Sequence, residues 1–97
     1  MYAVIQSYSF DPTSADEIHR QIQHGVVPLL RRVPGFAAYY WLNGGDGNGA
    51  SFSVWEDAAA AEHSVQLAAD YLREHLATVG ASEVIPGEVA IHVTSGL

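Results

Sequence analysis

From Tyr2 to Phe10 the chain is β-branched and aromatic with partial alternation, which predicts a first strand. Asp11-Pro12-Thr13 breaks that pattern, and a 3.6-residue period takes over, with Ile18, Ile22, Val26, Leu29 and Val33 on one stripe. The stripe predicts a helix stopped by Pro34-Gly35. Ser14 and Glu17 have the spacing of a capping box, Asp16 and Glu17 suit the positive end of the helix dipole, and Arg31 and Arg32 its negative end. Pro28 has no N–H for the carbonyl of His24, so a kink or a tightened final turn is expected there.

Phe36 to Asn43 reads as a second strand, the run Gly44 to Gly49 as a loose hairpin tip, and Ala50 to Trp55 as the returning third strand. Asp57 can cap a second helix whose buried face is Val65, Ala68, Ala69, Leu72, Leu76 and Val79, and which Gly80 ends. A loop through Pro86-Gly87 then leads to a last strand, Glu88 to Thr94. The order strand, helix, strand, strand, helix, strand over residues 1–97 predicts one ferredoxin-like βαββαβ sandwich: an α+β domain with a four-stranded antiparallel sheet and both helices on one face.

The second strand carries large apolar groups on both parities. Phe36, Ala38, Tyr40 and Leu42 fall on one side, and Ala37, Tyr39, Trp41 and Asn43 on the other. A sheet with one wet face should alternate apolar with polar, so both faces are expected to be covered. Helices can cover only one of them. A second copy of the chain, packed sheet to sheet, is the simplest cover for the other, which predicts a homodimer.

Composition narrows the function. Among 97 residues there are eleven acidic side chains, four arginines, no lysine and no cysteine, for a net charge of −7. That balance repels a phosphate backbone or an anionic membrane surface, so neither nucleic acid nor membrane is expected as a partner. Without lysine there is no Schiff-base chemistry, and without cysteine no disulfide, thiolate metal site or thiol nucleophile. No apolar run is long enough to span a bilayer, and the first residues lack the basic start of a secretory signal, so a cytoplasmic location is expected. The remaining partner is an apolar or aromatic small molecule, or another protein chain.

The five histidines offer no pair four residues apart on one face, so no metal is expected. The glycine-rich tip lacks the lysine of a phosphate loop and leads into a strand rather than a helix, and Ala50 stands where a calcium loop needs a ligand. His75 borders the stripe of the second helix one turn beyond Tyr71, where an imidazole could reach a cleft between helix and sheet. His19 borders the first helix in the same way. His92 lies on the predicted last strand with parity opposite to Val89, Ile91 and Val93, lining either the cleft or the strand edge.

Pro28-Leu29-Leu30-Arg31-Arg32-Val33-Pro34-Gly35-Phe36 and Ser53-Val54-Trp55-Glu56-Asp57, together with the element order, resemble the antibiotic-biosynthesis monooxygenase family. The resemblance implies a dimeric α+β barrel with a pocket in each subunit between sheet and helices. Some members oxidise aromatic polyketide intermediates with molecular oxygen and no metal or flavin, and others degrade haem. Trp55 matches the tryptophan that lines the pocket of the cofactor-free oxygenases. Their asparagine four positions earlier is Ser51 here, and their tyrosine six positions later is Ala61. Haem degraders carry a first-strand asparagine, where this chain has Gln6 or Ser7. They also carry a tryptophan and a histidine on the second helix, where it has His75 and no tryptophan.

The expected function is therefore a small dimeric pocket protein oxidising an aromatic or polyketide-like molecule without a cofactor. Trp55 would orient the substrate or donate to it, Tyr39 or Trp41 would stack on it, and His75 or His92 would take its proton. Gln6, Ser51, Ser53 and Tyr71 complete the expected lining. The alternatives are a non-catalytic ligand-binding or assembly domain of the same fold and, third, haem binding through His75.

Overall fold

The computed structural model describes residues 1–76 and 79–96. Four strands, β1 (Tyr2–Ser9), β2 (Phe36–Gly45), β3 (Asn48–Trp55) and β4 (Gly80–Glu88), form one antiparallel sheet in the order β2-β3-β1-β4. Two helical arms link them across one face. The first joins α1 (Ala15–Gln21), a π-helical turn (Ile22–Val26) and α2 (Val27–Arg31), and the second is α3 (Ala58–His75). This is the predicted ferredoxin-like arrangement. No helix among the described residues is long and apolar enough to cross a membrane.

The core lies between sheet and helices. Val4, Tyr8 and Trp55 from the strands meet Ile18, Ile22, Val26 and Leu30 from the first arm and Ala61, Ala68 and Leu72 from α3. Asp57 caps α3 as expected, its carboxylate accepting from the Ala60 amide at 2.8 Å. The capping box at Ser14 does not form. Asp11 caps a 3₁₀ turn one step earlier, accepting from the Thr13 amide and hydroxyl, while Glu17 turns to Gln21 and Arg20. The irregularity tied to Pro28 is a widened turn rather than a tightened one: the Val27 amide bonds back to Ile22. A proline that cannot donate to His24, and whose ring crowds that carbonyl, is relieved by one extra residue in the preceding turn. Gly25 sits in that turn against the Tyr71 ring, where a Cβ would fall 1.9 Å from the phenol oxygen.

The hairpin tip is tighter than predicted. Only Asp46 and Gly47 separate β2 from β3, and both have φ near +54° and +79°, the signature of a two-residue primed turn. A Cβ on Gly47 would strike the Phe10 carbonyl at 2.1 Å, so the tip is glycine for close approach as well as for φ.

Two strand details differ from expectation. The last strand runs from Gly80 to Glu88 rather than from Glu88 to Thr94. Pro86 and Gly87, read as a loop, pair with Val4 and Ala3 inside the ladder. β4 is an edge strand, where a missing N–H can face solvent at no cost to pairing. The other detail is a bulge near the start of β2. Phe36 pairs with Trp55 and Ala38 with Val54, two residues against one. The extra residue swings Phe36 off the parity of Tyr40 and Leu42 and onto Trp55, edge to face at 5.5 Å.

The far face of the sheet is apolar and uncovered. Tyr40, Phe52, Ile5 and Ile85 form one row in register across all four strands, all exposed, and Leu42 stands beside them. Residues 89–96 extend beyond β4 with Ile91 and Val93 at 84% and 86% exposure.

Candidate functional site

On the helix-facing side, inward parity brings polar side chains into register. Trp41 pairs with Ser51 and Ser51 with Gln6, while Tyr39 pairs with Ser53 and Ser53 with Val4. Gln6, Tyr8, Tyr39, Ser51 and Ser53 therefore converge under the helices. Ser64 and Leu72 from α3 and Ile22, Val26 and Leu30 from the first arm close the space above them. What remains is a cavity of about 20 Å³, room for roughly one water molecule.

A cavity in a small domain is ordinarily filled by aliphatic groups, because a buried hydroxyl without a partner costs about 1–3 kcal/mol. Here Gln6, Ser51, Ser53 and Ser64 are all more than nine-tenths buried. The Ser51 hydroxyl lies beside the phenols of both Tyr8 and Tyr39, near enough to favour their ionised forms slightly. Burial pushes the Tyr39 phenol well above its usual range, the nearby Tyr8 oxygen adds to the effect, and Ser51 pulls it partly back. Burial raises Tyr8 in the same way, again against Ser51. Both phenols are thus held protonated, as hydrogen-bond donors rather than bases. The cluster is suited to holding an oxyanion that forms in a dry place.

An alkaline titration checks this reading. Both folded-state pKa values lie above the unfolded phenol value of about 10, so the stabilisation is complete below that pH and is lost as pH rises through the folded values. Absorbance near 295 nm should show two of the five tyrosines ionising late, together with unfolding. Tyr39→Phe should remove one late step. Five tyrosines titrating as one group near the ordinary value contradict the buried cluster.

The predicted site residues divide. Gln6, Tyr39, Ser51 and Ser53 line the cavity. Trp55 is fully buried, and its indole N–H donates to the Ser53 hydroxyl at 2.9 Å, so its single donor is engaged within the protein. Trp55 orients Ser53 and is not itself part of the lining. Trp41 borders an adjoining groove of about 270 Å³ with His19, Ile22, Gln23, Val27 and Tyr39, Ile22 and Tyr39 forming the wall shared with the cavity. Gly49 lets the Trp41 ring settle there, since a Cβ would lie 2.6 Å from the indole.

His75, Tyr71 and His92 are not brought to the cavity. His75 and Tyr71 stack at 4.3 Å on the outside of the molecule, beside Gly25, Pro28 and Arg32 in an open groove between the helical arms, and the Tyr71 hydroxyl donates to Gln21. The α3 surface that faces the sheet is the Ala61–Ser64–Ala68–Leu72 side, and His75 falls off it at the helix end. His92, expected on the last strand, lies in the exposed segment past β4 because that strand ends four residues earlier. Among the described residues no group of three His, Cys, Asp or Glu converges.

Sequence reasoning left out Tyr8, which shares the inward parity of Val4 and Gln6 and could have been found from it. It also gave His19 no place in the site. Among the described residues, His19 Nε2 and Trp41 Nε1 are both shielded from solvent without a hydrogen-bond partner, and their rings meet edge-on at 6.1 Å.

Comparison with known proteins follows the fold. The sequence profile described as antibiotic biosynthesis monooxygenase matches residues 1–79. No curated protein matches by sequence. Among solved structures, the heme-degrader MhuD from Mycobacterium tuberculosis, with two hemes bound in its active site, is 20% identical with a TM-score of 0.72, covering 97% of this chain and 100% of that one. A mutant of SnoaB, a cofactor-independent oxygenase from Streptomyces nogalater, is 13% identical with a TM-score of 0.72 and 95% of each chain covered. A monooxygenase from the gene ActVA-Orf6 of Streptomyces coelicolor, in complex with Nanaomycin D, is 20% identical with a TM-score of 0.67, covering 96% and 92%.

Proposed function

The chain belongs to the antibiotic biosynthesis monooxygenase family, and from that premise we propose that it oxygenates an enolisable aromatic small molecule with O2 and no cofactor, as a homodimer. The observation that carries this reading is the convergence of Tyr8, Tyr39 and Ser51 in one buried cavity, protonated phenols beside a hydroxyl, with Gln6, Ser53 and Ser64 also set among its aliphatic walls. SnoaB and the ActVA-Orf6 protein, an oxygenase and a monooxygenase on the same fold, support the same class of chemistry.

An anthrone-type substrate illustrates the balance. Its activated CH2 loses a proton to solvent on entry, the resulting anion passes one electron to O2, and the radical pair combines to a peroxide anion. The proton returns to the peroxide oxygen, and loss of water leaves the new carbonyl. One O2 yields one quinone and one water. The phenols and Ser51 stabilise the enolate oxygen, and the aliphatic walls exclude the bulk water that would compete for it. With a cavity holding about one water, substrate entry requires the Tyr39 wall to move toward the adjoining groove.

Haem does not fit the arrangement: the histidine nearest the haem-degrader position, His75, is half exposed in the open groove between the helical arms and does not line the cavity. A second subunit fits the uncovered face. The row Tyr40–Phe52–Ile5–Ile85 is too apolar and too continuous for a surface left in water, and the same partner would cover Ile91 and Val93.

Ser51→Ala tests the reading. It removes the hydroxyl that lies beside the two phenols, and quinone formation from an anthrone should fall by about 100- to 1000-fold, in keeping with the loss of one oxyanion donor. Unchanged turnover in a folded Ser51→Ala protein would overturn the assigned role.

A further inference from the structure

The cavity supplies donors but no ordinary base: its polar lining is amide and hydroxyl. Across the shared wall of Ile22 and Tyr39, the adjoining groove has the complementary equipment. Two rings on its wall carry an imidazole nitrogen and an indole N–H, both shielded from solvent, that nothing among the described residues engages, although the indole of the other tryptophan is satisfied by Ser53. Two unpartnered nitrogens on touching rings, on different elements, are a costly coincidence unless something else bonds to them.

We propose that His19 and Trp41 form a hydrogen-bonding subsite for the hydroxylated edge of a planar aromatic ligand lying in this groove. The indole donates to a ligand oxygen. The imidazole, in the tautomer protonated on Nδ1, accepts a ligand hydroxyl proton at Nε2. Both rings border the groove, and χ2 of such side chains is a soft torsion, so a ring rotation presents either nitrogen to the ligand. Val27 and Ile22 supply the apolar floor against which a fused ring can lie. The groove, at about 270 Å³, is near the lower end of small-molecule sites, whereas the cavity is far below it. Neutral or weakly acidic phenols and enols suit a chain of net charge −7 better than carboxylates or phosphates do. The subsite rests on the proposed function only for the choice of an oxygen-bearing aromatic as ligand.

Titration of the ¹⁵N-labelled chain with 1-naphthol tests it. The Trp41 indole resonance should move downfield and saturate, while that of Trp55 stays. 1-Methoxynaphthalene, which has no proton to give His19, should bind about tenfold more weakly, the equivalent of one hydrogen bond. His19→Phe, which keeps a ring against Trp41, should abolish the difference between the two probes. A Trp41 resonance that does not move, or equal affinity for both probes in the unaltered chain, overturns the subsite, and neither readout depends on a variant folding. Turnover failing while naphthol still binds at Trp41 would sink the oxygenase reading and leave the subsite standing. Turnover persisting with Trp41 unmoved would do the reverse.

Discussion

Trp55→Ala is expected to be the most damaging single substitution in the chain. The side chain is wholly buried, packs edge to face on Phe36, and stands at the end of the inward row of β3. Truncation of a large buried aromatic costs about 3–5 kcal/mol, against a total stability of roughly 5–15 kcal/mol for a domain of this kind. It also strips the Ser53 hydroxyl of its donor at the edge of the cavity. Urea denaturation followed by far-ultraviolet circular dichroism should show a midpoint lowered in proportion, or no folded baseline at all. Trp55→Phe keeps the ring contact with Phe36 and should cost much less. Equal stabilities for Trp55→Ala and the unaltered chain would mean that the sheet and the first arm do not pack around this residue.

The second large effect concerns assembly. Phe52 lies in the middle of the uncovered row, paired on either side with Tyr40 and Ile5. A carboxylate there would be desolvated without a partner in a sheet-to-sheet interface, a cost of several kcal/mol. Sedimentation should give a dimer for the unaltered chain at micromolar concentration and a folded monomer for Phe52→Glu, since the side chain points away from its own core. Because a stable interface buries on the order of 800 Å² per partner, Leu42 and Ile85 must be covered with it, and Leu42→Glu should act in the same direction. A monomeric unaltered chain removes the partner from the picture while leaving the cavity in place.

The parts of the fold legible in the sequence are those set by local pattern. Alternation placed β1 and the β2–β3 hairpin, Asp57 announced α3, and the element order led to the sheet. The parts that were hidden depend on where an element sits. Pro86-Gly87 is a loop signal in isolation and a harmless pair at a sheet edge. Phe36 has the parity of Tyr40 in the sequence, and only a bulge against Trp55 moves it to the other face. The site followed the same division. Ser51, Ser53, Gln6 and Tyr39 met because strand parity and register, both readable, put them there. His75 was placed by its position on a helical wheel, which says nothing of where the helix ends relative to the sheet, and it lies outside. His19 borders its own helix stripe in the same way, and only the packing of α1 beside Trp41 reveals that its nitrogen has no partner among the described residues.

Oxygen consumption by the purified, chelator-treated protein with an anthrone bears most directly on the proposed chemistry. One O2 should disappear for each quinone formed, at a rate that saturates with substrate and is unaffected by the chelator. Uptake no faster than in protein-free buffer, or uptake that returns only when a metal is added, would contradict oxygenation by protonated phenols and a serine in a dry cavity.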